Sequence, residues 1–102
     1  CLDAAARNAI DEYIPANLEF HQAIHDACDN RWLVDQLNQI ALRINPYRLM
    51  PYEIRGRVAQ SADEHKDIAA AILAGDGKTA CELMRDHMLM QGKRLPSLLK
   101  AL

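Results

Sequence analysis

Apolar residues recur along this chain every three to four positions, the period of helices with one buried face. Leu2 to Ile10 reads as a short alanine-rich helix. A second helix is predicted from Asp11, a candidate N-cap, to about Cys28. In it Ile14, Leu18, His21, His25 and Cys28 form one stripe, with Phe20, Ile24 and Ala27 beside it. Pro15 is tolerable there only in or near the first turn. Asp29-Asn30 closes that helix, asparagine being suited to a left-handed cap. Arg31 to about Ile44 follows, with Leu33, Leu37, Ile40 and Ile44 at helical spacing. Asn45 to Arg57 contains Pro46, Pro51 and Gly56 and is expected to be the longest irregular stretch. Ser61-Ala62-Asp63-Glu64 has the form of a capping box, and the helix it opens should turn His65, Ile68, Ala69, Ile72 and Leu73 inward before Gly75. Asp76 caps the last long helix, with Ala80, Met84, His87 and Gln91 on one face. Pro96 should end or kink it, leaving Ser97 to Leu102 as a tail turn. The expected architecture is all-α, an antiparallel bundle of about five helices in one domain over residues 1–102.

Composition supports the helical reading. Half the 102 residues are hydrophobic, glycine and proline number four each, and runs of β-branched and aromatic residues are absent. A net charge of −2 leaves no electrostatic footprint for nucleic acid or an anionic membrane. No apolar run approaches the roughly 20 residues of a membrane span. Cys1, Cys28 and Cys81 lack CxxC spacing, which suits reduced thiols in a cytoplasmic protein better than a disulfide framework. The chain opens on Cys rather than Met, so it is expected to be a piece of a longer protein.

The candidate chemistry lies in the histidines. Asn17 and His21 are four apart and share a helix face. His65 stands ten residues before Gly75 and His87 eleven after Asp76, so in an antiparallel hairpin both imidazoles lie roughly 15 to 17 Å from the turn, at one height. Together these four side chains make a cage for a divalent transition metal, zinc first, with nickel or manganese as the other candidates. His25 is a competing ligand, because His21-x3-His25 is also a chelating pair. The favoured reading of His25 is a polar residue lining a cavity, and a lone histidine on an apolar face is more often a core residue than a ligand. Glu64 and Asp86, each next to a histidine, could orient a ring or serve only as capping and solvated charges. Cys28, Cys81 and the methionines read as core filling. Arg43, Arg48, Arg55 and Arg57 surround the irregular stretch, and an acidic ligand would require one such guanidinium.

Phe20-His21, Ala27-x2-Asn30 with Leu33 and Leu37, Ser61-x2-Glu64-His65-x2-Ile68, Ala71-Ile72-x2-Gly75-Asp76, Ala80 and Met84-x2-His87 occur in that order. The chain thereby resembles, over roughly residues 10 to 95, the FadR-type C-terminal ligand-binding domain (FCD) of GntR-family bacterial transcription regulators. The resemblance implies an all-helical sensor, usually a homodimer. It implies a divalent metal held by Asn17, His21, His65 and His87, and a small carboxylate effector beside it, for which Arg43, Arg48 and His25 are the candidate contacts. DNA would be read only through an upstream winged helix-turn-helix. Two departures stand out: Asn17 takes the place of the usual Asp, and the family's opening helix has no counterpart before Cys1. Two other readings remain: a metal-dependent hydrolase or lyase in a helical bundle, and a metal-free helical interaction module.

Overall fold

The computed structural model describes residues 1–100, and their side chains as far as Leu89. The helices are α1 (Leu2–Ala6), α2 (Ile10–Asp26), α3 (Arg31–Leu49), α4 (Arg57–Leu73) and α5 (Gly77–Lys100), with a 3-10 turn at Met50–Glu53. Among the described residues there is no strand, and no helix is long and apolar enough to cross a membrane.

Several boundaries depart from expectation for identifiable reasons. The stretch predicted to be irregular from Asn45 continues α3 for another turn, straight through Pro46. A proline removes the bond to the carbonyl four residues earlier, here that of Leu42. Leu42 and Pro46 are both exposed, so water can take that carbonyl. Pro15 sits two residues deeper in α2 than expected, because the helix starts at Ile10, and is likewise exposed. Nor does Pro96 stop α5, whose backbone runs on to Lys100.

Asn30 opens α3 instead of closing α2: its backbone is extended and its side chain accepts from Leu33 N at 3.0 Å. The left-handed asparagine is Asn8 (φ 52°). Around it Ala9 N donates to Ala4 O and Asn8 N to Ala5 O, at 2.9 and 3.0 Å, the paired bonds that close a helix at such a residue. Ala9, not Asp11, precedes the first residue of α2.

Ser61 does not cap α4. Gly56, at φ 83°, starts that helix at Arg57, more than a turn earlier, so Ser61 faces the interior. At the other end Gly75 (φ 73°) closes α4, with Asp76 N donating to Ala71 O at 2.9 Å and Gly75 N to Ile72 O at 3.0 Å. Asp76 then opens α5, its Oδ1 accepting from Thr79 N at 3.1 Å. This turn fixes the register of the α4–α5 hairpin.

The core is uneven. At one end Tyr13 and Tyr52 pack edge to face at 5.2 Å among Ala4, Val58 and Ala62, and α4 adds Ile68 and Ala71. Helix α3 buries only Val34. Leu33 and Ile40, expected to point inward, are exposed, as are Ile72 and Leu73 in the last turn of α4.

A candidate metal centre between three helices

Tyr13, Asn17 and His21 form the buried stripe of α2. It faces α4, which presents His65, and α5, which presents His87. All three histidines are buried. Their ring nitrogens converge: Nε2 of His65 lies 3.3 Å from Nε2 of His87, which lies 3.4 Å from Nε2 of His21. One nitrogen from each ring falls within 4.8 Å of the others. Nitrogens that share a metal at about 2.0–2.1 Å stand roughly 3 to 3.4 Å apart, so the closest pairs have the right spacing. Phe20 stacks on His65, ring centres 4.1 Å apart and 12° from parallel, and holds that imidazole in place.

Glu64 fixes the second nitrogen of one ring. His87 Nδ1 donates to Glu64 Oε1 at 2.6 Å, and the same oxygen accepts from Nη1 of the fully buried Arg57 at 3.0 Å. With its proton on Nδ1, His87 keeps the Nε2 lone pair free for coordination. The rings are held neutral. Burial pulls His21 down to about 2, helped by the Arg48 charge, and pulls His65 down to about 3, helped by His87 and Arg57. His87 is lowered too, since burial outweighs the upward pull of Glu64. An imidazolium against Glu64 would suit that short contact, but it would also place a charge beside two imidazoles and Arg57 in a dry interior. Neutral imidazoles are the form that binds a metal.

Asn17 ends a chain of hydroxyls. The Tyr52 hydroxyl donates to Asn17 Oδ1 at 3.1 Å and lies 3.0 Å from Ser61 Oγ, which accepts from the Tyr13 hydroxyl at 2.7 Å. Each hydroxyl has one proton, so the donors run one way: Tyr13 to Ser61, Ser61 to Tyr52, Tyr52 to Asn17. The carboxamide oxygen has a second lone pair beyond the one Tyr52 uses.

Tyr13, Tyr52, Ser61 and Arg57 were not anticipated as parts of this centre. Tyr13 was visible in principle, four residues before Asn17 on the same stripe. Tyr52 had no signal, since the Met50–Glu53 turn has no periodicity to read. Asp86 is exposed, as are Arg43 and Arg55. Cys28 and Cys81 stand apart from the histidine cluster.

Beside the cluster, α2, α3 and α5 enclose a cavity of about 290 Å³. His25 and Arg48 line it together with His21, while Arg43 does not. His25 is thus placed at the cavity wall and not among the converging nitrogens.

Helical bundle and histidine centre together define an all-helical domain built around a buried, metal-ready polar site. The chain belongs to the FCD domain family, whose model matches residues 1–90. Over 79 residues it is 29% identical to a protein of Paraburkholderia xenovorans (strain LB400) described as the uncharacterized HTH-type transcriptional regulator BphR. The match takes in 76% of this chain and 32% of that protein, so the chain spans about a third of its relative's length. No solved structure matches the chain.

Proposed function

We propose that this chain is the ligand-sensing part of a cytoplasmic GntR-type transcription regulator. It holds one divalent transition metal through His21, His65 and His87, with Asn17 as a weaker fourth donor, and takes a small carboxylate beside it. The observation that carries this reading is the convergence of three buried Nε2 atoms with Glu64 anchoring the far side of His87. Membership in the FCD family and likeness to an HTH-type regulator support the regulatory role. Imidazole donors favour zinc, then nickel, over manganese.

When bound, the metal supplies a full divalent charge, because every proposed donor is neutral, and so attracts an anion. This chain's own residues do the rest. Glu64 and Phe20 fix two of the rings, Tyr52 orients the carboxamide of Asn17, and Arg48 offers a guanidinium to a carboxylate in the neighbouring cavity. Occupancy would favour one packing of α3 against the bundle, and through a homodimer that packing would set the disposition of DNA-reading domains attached upstream.

A hydrolytic reading is disfavoured by the same contacts. The carboxylate nearest the histidines, Glu64, is already committed to His87 and Arg57, so it is not placed as a general base toward water. Elemental analysis of protein purified without chelators tests the proposal, with about one metal per chain expected. Asn17→Asp, which adds a charge and keeps an acceptor for Tyr52, should tighten binding by roughly tenfold. Protein free of metal under these conditions, and unable to take up zinc, would leave the metal-free interaction module standing.

A further inference from the structure

The cavity beside the histidines has two unlike ends. Ile24, Leu37, Ile40, Ile44, Met84 and Met88 form its body of about 290 Å³. At the end nearest His21 it adjoins a recess of about 90 Å³, and the two share His21, His25, Ala41 and Arg48. Leu18, Gln22 and Asn45 complete that recess. Two buried atoms facing this region, His25 Nδ1 and Asn45 Oδ1, have no hydrogen-bond partner among the described residues.

Those features differ from what a sugar acid or a dicarboxylate requires. A second carboxylate would have to lie against leucine, isoleucine and methionine, with no cation among the described lining residues at that end to receive it. An apolar cavity of about 150 Å³ is enough for one benzene ring, so this chamber has room for a ring or a branched chain with substituents. Buried polar atoms are normally hydrogen-bonded, and unpartnered ones beside a guanidinium mark where a polar head is to be seated. The Nδ1–H tautomer of His25 donates, and half a turn of the Asn45 carboxamide presents its NH2.

We infer, resting on the acid-sensing reading above, that the effector is a monocarboxylate with a single apolar body. Its head would sit in the recess on Arg48, His25 and Asn45, and its ring or branched chain in the chamber between α2, α3 and α5. Asn45 is thereby a ligand-binding residue, and the walls contributed by Leu37, Ile40 and Ile44 set specificity.

Calorimetry on the metal-loaded chain tests this with benzoate, 4-methylpentanoate, succinate, glycerate and benzyl alcohol. Benzoate or 4-methylpentanoate, according to whether the body is a ring or a branched chain, should bind about tenfold or more tightly than succinate and glycerate. Its binding should carry the negative heat-capacity change of apolar burial. Benzyl alcohol, which lacks the charge, should bind weakly. Ala41→Leu, which narrows the junction of chamber and recess, should weaken the preferred acid about tenfold with metal content unchanged. Asn45→Leu should weaken it too, with the thermal midpoint and metal content confirming a folded, loaded protein. Succinate or glycerate binding as tightly as both apolar acids would overturn the inference and leave acid sensing intact. Benzyl alcohol matching benzoate would overturn the role of the carboxylate head. Failure of every acid on metal-loaded protein would overturn acid sensing itself.

Discussion

The histidine centre and the cavity next to it share His21, yet they are built in opposite ways. In the centre three groups have a neighbour that positions them, Glu64 for His87, Phe20 for the His65 ring and Tyr52 for Asn17, and of these only His65 keeps a buried atom, Nδ1, with no hydrogen-bond partner among the described residues. Around the cavity α3 buries only Val34, Ile40 is half in solvent, and His25 and Asn45 each carry a polar atom that nothing among the described residues satisfies. A site whose parts constrain one another is ready for something as small as an ion. A site with loose walls and unspent hydrogen bonds is suited to a body that arrives from outside and completes the packing.

That contrast can be broken experimentally, and the largest effect is expected from removing a ligand. His65→Ala should take metal content from about one per chain to near zero, whereas Ile44→Ala, on the cavity wall, should leave it unchanged. Equal metal loss in both variants, measured by elemental analysis, would mean that the two regions are not separate.

Acid should strike the centre first. His21 and His65 are held at about 2 and about 3, against an ordinary 6.5. Below pH 6.5 the unfolded chain therefore binds more protons than the folded one. The stability contributed by these neutral rings is complete above that pH and falls as acidity increases, by up to about 1.4 kcal/mol per pH unit for each histidine. Urea midpoints of metal-free protein at about pH 7.5 and about pH 5.5 would reveal it, and equal midpoints would contradict neutral burial.

Smaller effects sharpen the picture. Glu64→Gln keeps the size of the side chain but weakens its hold on His87, and should cost 10- to 100-fold in metal affinity, read by competition with a chelating dye. Tyr52→Phe removes one donor to Asn17 and should lower stability by about 1 kcal/mol in chemical denaturation. An effect on metal affinity as large as that of Glu64→Gln would show that Asn17 contributes more to the site than a neutral carboxamide should.

Periodicity was a good guide where local rules decide. The helical class, the Gly75-Asp76 turn and the common height of His65 and His87 all follow from spacing along single helices, and spacing survives folding. Helix starts were harder, because a capping pattern competes with whatever precedes it. Ser61 and Glu64 suit a capping box in isolation, but the left-handed Gly56 starts the helix earlier and frees both side chains for other partners. The prolines misled for a related reason. Whether one breaks a helix depends on where the orphaned carbonyl points, which only the assembled bundle determines. Tyr52 enters the centre from within a 3-10 turn and Arg57 from the start of α4 just beyond it, and periodicity along single helices does not link Tyr52 to Asn17 or Arg57 to His87.

The turn at Gly75 and Asp76 has a consequence for how this chain can change in length. Each residue added inside α4 or α5 rotates everything on one side of it by about 100°. One insertion between His65 and Gly75, or between Asp76 and His87, would swing an imidazole off its partner without disturbing either helix as a helix. The span from His65 to His87 is therefore closed to insertions and deletions, whereas the connections at Asn8 and Asp29, which carry no ligand register, can accept a tag, a linker or a fluorescent reporter. Splicing a sensor from this domain should respect that boundary.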